Sequence, residues 1–229
     1  MRSKLLSLIT AIRLAGLAIA AFALWGFAAI AQEVLEKETR AFDTEILLAL
    51  KRLHAPLLDR IMIGFTFLGE PRLLFVICLA LGTILLVRSH RSEALTIALA
   101  IIGAVGLNTL LKQLFARDRP QLWERVVDVR FYSFPSGHAM ISMVIYGLLG
   151  YFLISRFPRW RWLIATLTVL LVTAIGFSRL YLGVHWPTDV IAGYTAGMVW
   201  LIACIMSLEI SKELRSPPLV SQDKFLSSD

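Results

Sequence analysis

The chain has 229 residues, of which 58% are hydrophobic, with a mean hydropathy of +0.73 and a formal charge of +7. Soluble domains are about 45–50% apolar, so these values exclude an ordinary soluble enzyme and predict an integral membrane protein. The lysines and arginines are scattered at the ends of apolar stretches, with no basic stripe interleaved with aromatics. That excludes a nucleic-acid surface and leaves topogenic charge plus an anionic partner.

A membrane-crossing helix needs about 20 apolar residues. The first such stretch is Leu14 to Ala31. Arg2, Lys4 and an Ala29-Ile30-Ala31 site also fit a signal peptide, but the apolar core exceeds the usual 7–15 residues or so, which favours a retained helix. Residues 32–53 are mixed and charged and read as an interfacial helical segment. Ile61 to Gly69 is apolar but too short to span, and Glu70-Pro71-Arg72 interrupts it, since proline disfavours helix in the residue before it. Further spans are expected at Leu73–Val87, Ala94–Leu111, Ala139–Ile154, Trp162–Phe177 and Thr188–Ile205, with a polar tail over 209–229. The expected fold is therefore all-α, one domain over 1–229 built as a six-helix membrane bundle, with a catalytic core over about 94–208. Cys78 and Cys204 fall in predicted spans and read as two buried thiols, not a disulfide framework or zinc site. Trp160, Trp162 and Trp186 at span ends read as an interfacial belt. His54 and His90 read as surface residues.

Six spans place both termini on one side. The raw lysine and arginine count nearly ties between the two sides. The short loops carrying Arg88 and Arg91, and Arg156, Arg159 and Arg161, are densely basic, which favours them as cytoplasmic. Parity also brings three polar clusters to the opposite face. These are Lys112-x6-Arg119-Pro120, Pro135-Ser136-Gly137-His138 and Ser178-Arg179-x5-His185-x3-Asp189. Charge beside hydrocarbon is costly, so such residues are usually functional. Each residue alone could be a snorkelling span end; their common side argues for a site.

Ser136 suits an N-cap, and Gly137 allows close backbone approach, so the first amides of the next helix would face an anion. A cation in that first turn opposes the helix dipole, whereas a proton donor facing a phosphate explains His138. His185 and Asp189 are four apart across a helix start primed by Pro187. The carboxylate can accept from one imidazole nitrogen and leave the other as a nucleophile; an ordinary helix-start pair is the plainer alternative. Gly193 and Gly197 share a helical face with Asp189 and would pack tightly, turning it into the bundle. Lys112, Arg119 and Arg179 can stabilise a pentacoordinate phosphoryl transition state. Asn108 reads as an interhelical hydrogen-bonding residue. No Asp/Glu cluster, His/Cys set or glycine-rich phosphate loop offers itself to a metal, so metal-independent catalysis without a cofactor is expected.

In their order and spacing, the three clusters resemble the signature of the type 2 phosphatidic acid phosphatase superfamily. That superfamily includes bacterial phosphatidylglycerophosphate and undecaprenyl-diphosphate phosphatases and eukaryotic lipid phosphate phosphatases, and soluble vanadium haloperoxidases share its site. Every fixed position of the signature matches over residues 112–189. The resemblance implies that His185 attacks phosphorus and forms a phosphohistidine while Asp189 orients it. It implies that His138 protonates the leaving oxygen and then activates water, and that Lys112, Arg119, Ser136, Gly137 and Arg179 bind phosphoryl oxygens. The implied substrate is a lipid phosphate such as phosphatidate, phosphatidylglycerophosphate or undecaprenyl diphosphate, met in a bacterial plasma membrane with the site facing the periplasm or lumen. A phosphatase for a soluble ester such as a sugar phosphate is the alternative within this chemistry. An anion transporter would more often show repeats or midplane helix breaks, and hydropathy argues against a haloperoxidase.

Overall fold

The computed structural model describes residues 2–123 and 131–215, all of whose regular structure is helical. The elements are α1 (Arg2–Leu35), α2 (Arg40–Lys51), α3 (Pro56–Leu68), α4 (Pro71–Val87), α5 (Arg91–Phe115), α6 (Gly137–Arg156), a short 3-10 turn (Pro158–Trp160), α7 (Arg161–Tyr181) and α8 (Pro187–Arg215). Among the described residues, five stretches are long and apolar enough to cross a membrane by themselves: Arg13–Leu35, Arg91–Phe115, Gly137–Arg156, Pro158–Tyr181 and Pro187–Leu214. A sixth exists if α3 and α4 are taken as one span bent by 46°.

That bend refines the expected second span. Ile61–Gly69 does not stand alone as a short apolar piece: it is the second half of α3, which starts at Pro56, with Gly69 as the C-cap. Pro71 lacks an N–H and cannot continue α3, yet it suits the first position of α4. Glu70 before it is extended (φ −64°, ψ 123°), so the chain turns there and restarts. At the other end of the chain, α8 runs through Glu209 to Arg215, so the region expected to be a polar tail begins as helix. The remainder of that tail, 216–229, and residues 124–130 of the 120–134 loop lie outside the described residues.

The core forms where α4, α5, α6 and α8 meet, around Leu74, Ile97, Ala100, Ala104, Ile141, Val144, Leu148 and Leu201. Cys78 and Cys204 are both free and buried in it, as expected. The backbones of α6 and α8 approach closely. A Cβ added at Gly193 would fall 2.7 Å from the Ser136 carbonyl oxygen, and one at Gly197 would fall 2.7 Å from that of Met140. Small residues let backbones close in this way where no hydrophobic drive between helices exists. α1 packs chiefly on α8 and turns Leu14, Phe22 and Trp25 outward. Its last turns seat Ala31 and Val34 against Phe134 and Ala192, beside the Pro135-Ser136-Gly137-His138 cluster.

One expectation fails and another is sharpened. Trp186 is not a belt residue: it is 4% exposed, and its Nε1 donates to the Asp118 carbonyl at 2.9 Å. Trp160 and Trp162 are exposed, as a belt requires. His54, expected at the surface, is half-buried and held there. Its ring stacks on Tyr181 with centroids 4.3 Å apart, and its Nε2 lies 2.8 Å from the Tyr181 carbonyl oxygen. An unbroken apolar run marks neither site, because both residues are held by partners far away in the sequence.

Candidate active site

Every cluster residue comes from a helix end or an adjoining loop at one end of the bundle. Lys112 lies in the last turn of α5, and His138 in the first turn of α6. Arg179 lies in the last turn of α7, and Asp189 in the first turn of α8. His185 is carried by the turn between α7 and α8, where Gly183 adopts φ +66°, a conformation that costs glycine nothing.

Ser136 caps α6, its Oγ accepting from Ala139 N at 3.5 Å, as the sequence predicts. Its own N–H donates to the Asp189 carbonyl at 2.9 Å, which ties the second cluster to the third. Asn108 reaches across from α5, with Nδ2 donating to the Pro135 carbonyl at 3.2 Å, and it abuts Gly137. Pro135 precedes α6; the interhelical bond expected of Asn108 is the one from the same nitrogen to Met140 Sδ of α6, at 3.8 Å. Ser178 bonds back to the Ile175 carbonyl within its own helix.

His185 is 2% exposed and Asp189 is fully buried. His185 Nδ1 lies 3.3 Å from Asp189 Oδ2, and His185 Nε2 lies 3.2 Å from an Arg119 guanidinium nitrogen. A guanidinium only donates and a carboxylate only accepts. The two contacts together therefore require the proton on Nδ1 and a lone pair on Nε2. Burial, followed by the nearby charges of Arg119, Lys112 and Arg179, holds the imidazole well below its ordinary pKa. The nitrogen facing the cations thus carries a free lone pair at neutral pH.

Arg119 also donates to the carbonyls of Val184 and Phe131, both at 2.7 Å, and Lys112 Nζ donates to the Tyr132 carbonyl. Arg179 is 4% exposed. One of its terminal nitrogens donates to Thr66 Oγ1, while its Nε is buried with no hydrogen-bond partner among the described residues. A buried donor without an acceptor is costly, and here an anion among the cations is its natural partner.

Sequence reasoning missed the layer behind these residues. Arg117 bonds Asp189 Oδ1 at 2.7 Å, Asp43 Oδ2 at 2.7 Å, Thr188 Oγ1 at 2.8 Å and Thr39 Oγ1 at 3.0 Å. Asp43, fully buried on α2, accepts from Thr188 N at 3.0 Å and Thr188 Oγ1 at 2.7 Å. Residues 117 and 119 are two apart in non-helical chain, and their side chains reach opposite ends of the His185–Asp189 pair. One sequence signal existed: Asp43 shares the buried face of α2 with Leu47 four residues on. A second missed residue is Glu70, whose Oε2 lies 3.4 Å from His138 Nε2.

A family profile described as the PAP2 superfamily matches residues 93–211. Phosphatidylglycerophosphatase B of Bacillus subtilis is 28% identical over 176 residues, covering 76% of this chain and 86% of that protein. An undecaprenyl-diphosphatase of Sulfolobus acidocaldarius is 33% identical over 134 residues, covering 55% and 60%. Among solved structures, the transmembrane PAP2-type phosphatidylglycerolphosphate phosphatase from Bacillus subtilis superposes with a TM-score of 0.77 at 25% identity, covering 86% of this chain and 98% of that one. The profile spans more than half of the chain, and the named relatives are membrane phosphatases. The chain therefore belongs to the PAP2 superfamily, among its membrane lipid phosphatases, and is a phosphate ester hydrolase.

Proposed function

We propose that the protein removes the terminal phosphoryl group of a lipid phosphate, of the phosphatidate, phosphatidylglycerophosphate or polyprenyl-diphosphate type, through a phosphohistidine. The observation that carries this is the buried His185 with its lone pair turned to Arg119, beside the unpartnered Nε of Arg179. The phosphoryl oxygens sit among Lys112, Arg119 and Arg179 and the first amides of α6, with Ser136 and Gly137 shaping that cradle. The Nε2 lone pair of His185 attacks phosphorus, and Asp189 stabilises the imidazolium that results. The bond from phosphorus to the lipid oxygen breaks, and that oxygen takes a proton from His138. Water then attacks phosphorus and gives its proton to His138. The N–P bond breaks, phosphate leaves, and the lone pair returns to Nε2. The three cations supply the charge stabilisation for which other phosphatases use metal ions. The apolar tail enters sideways between helices. α2 lies along the interface, the termini are cytoplasmic, and the site opens to the periplasm or lumen of a bacterial plasma membrane.

The test is phosphate release by purified protein in detergent from phosphatidate, phosphatidylglycerophosphate, undecaprenyl diphosphate and glucose 6-phosphate. At least one lipid should be cleaved far faster than the sugar phosphate, and the rate should be the same in excess EDTA. Preferential cleavage of the sugar phosphate overturns the lipid assignment. A rate lost in EDTA and restored by magnesium overturns the cation assignment.

The state of the nucleophile is open to direct measurement. A depressed pKa means that acid must go further before the ring is charged. In 15N-histidine NMR, the His185 signals should stay those of the neutral Nδ1–H tautomer as pH falls through the ordinary histidine value of 6.5. Protonation at or above pH 6.5 contradicts this.

A further inference from the structure

The break between α3 and α4 lies against the site and is fixed there. Thr66, near the end of α3, accepts from Arg179, and the Tyr146 hydroxyl of α6 donates to the Leu68 carbonyl at 2.8 Å. Gly69 is wedged between α6 and α7. A Cβ there would fall 3.3 Å from His138 Cδ2 and 2.3 Å from Ile175 Cγ2. Glu70, at the N-cap of α4, is thus delivered by a constrained turn, and its carboxylate lies 3.4 Å from His138 Nε2. The His138 side chain is 13% exposed and that of Glu70 is 40% exposed, so the pair sits at the mouth of the buried cluster.

We infer that Glu70 is a positioning residue for His138 and completes a second histidine–carboxylate pair in the site. This rests on the reading of His138 as the general acid. The charged neighbours of His138 are Arg179 from α7, Arg119 from the chain after α5, and Glu70, and His185 faces it from the turn before α8. Two guanidiniums oppose an imidazolium, and Glu70 is the carboxylate that favours it. Arg179 and Arg72 are in turn the other cations near Glu70. With Nε2–H donated to Glu70, Nδ1 is the nitrogen that exchanges protons with substrate. As the bond from phosphorus to the lipid oxygen breaks, the Nδ1 proton passes to that oxygen. Nε2–H stays on Glu70, and Nδ1 recovers a proton from the attacking water in the second step. The site then holds two histidines of opposite polarity. Asp189 fixes the proton of His185 on Nδ1 and frees Nε2 to attack, while Glu70 fixes the proton of His138 on Nε2 and frees Nδ1 for proton transfer. A carboxylate behind a metal-ligating histidine is typically worth about 10–100-fold, and the partly exposed Glu70 at 3.4 Å is expected to act on that scale.

The experiment compares Glu70→Gln, Glu70→Asp and His138→Ala on phosphatidate in mixed micelles, over a full pH range. Glu70→Gln should lower kcat on the order of 10-fold to 100-fold with KM nearly unchanged. The basic limb of its kcat profile should move to lower pH, because the carboxylate that favours the charged ring is gone. Glu70→Asp should keep the wild-type limb. A wild-type kcat and limb in Glu70→Gln, or a change confined to KM, overturns the inference while an inactive His138→Ala leaves the role of His138 standing. Turnover by His138→Ala would instead sink the underlying reading. If Glu70→Gln does not fold, 15N-histidine NMR of the wild-type protein decides: an Nε2–H tautomer for neutral His138 supports the pairing, and Nδ1–H overturns it.

Discussion

His185→Ala should lose at least about 10⁴-fold in turnover, the scale seen when a nucleophile acting within a catalytic unit is removed. It should still bind inorganic phosphate, because Lys112 and Arg179 come from other helix ends, Arg119 comes from the chain after α5, and all three remain in place. His185 is 2% exposed, so truncation also opens a cavity and costs some stability. His185→Asn separates the two effects. Its amide can still donate to Asp189, yet it offers no basic nitrogen toward Arg119. Both variants should be inactive and the asparagine variant close to wild type in thermal unfolding. Wild-type protein quenched during turnover of 32P-labelled substrate should carry an acid-labile, alkali-stable phosphohistidine that both variants lack. Near-normal turnover in either removes His185 from the nucleophile role, whatever the other residues do.

The outer form of the site is legible in the sequence because its parts are strong local signals. A cap such as Ser136 precedes an apolar run, an i,i+4 pair such as His185 and Asp189 opens another, and Lys112 and Arg179 each end one. Parity of the spans then suffices to put them on one face. The supporting residues carry weaker signals. Asp43 lies in a charged stretch where one more acid is unremarkable, and only its face shared with Leu47 separates it from the rest. Arg117 is masked by Arg119 and Asp118. Its direction depends on where α5 stops, and that is set by the left-handed conformation of Ala116 (φ 42°) after Phe115. Glu70-Pro71 is correctly predicted to break a helix. What the break does, bending a span by 46° and setting a carboxylate on His138, is a tertiary fact with no local trace. Trp186 and His54 show the same limit from the other side, since apolar flanks do not reveal whether a ring meets lipid or protein.

The behaviour of Asp43 shows how far the site depends on a helix outside the matched region. The α8 start is held by two carboxylates. Asp189 Oδ2 accepts from Trp186 N at 2.9 Å in the manner of a capping box, and Asp43 Oδ1 accepts from Thr188 N at 3.0 Å. Arg117 bridges both acids at 2.7 Å, and its side chain is only 13% exposed. Asp43→Ala therefore removes a helix cap and leaves a largely buried guanidinium half-paired. Breaking a buried ion pair by removing one partner costs about 3–5 kcal/mol, so the variant should unfold well below wild type in detergent. Asp43→Asn is the more telling change. Its carbonyl oxygen can still accept from Thr188 N, so the fold should survive with a smaller loss, but the charge shared with Arg117 is gone. Arg117 then bears on Asp189 alone and draws on the carboxylate that orients His185. The expected result is a folded protein with kcat lowered on the order of 10-fold and KM little changed, the scale found when a group behind a metal-ligating histidine is lost. Wild-type kcat in a folded Asp43→Asn would mean that Asp189 holds His185 without help, and that Asp43 and Arg117 only anchor α2 to the start of α8.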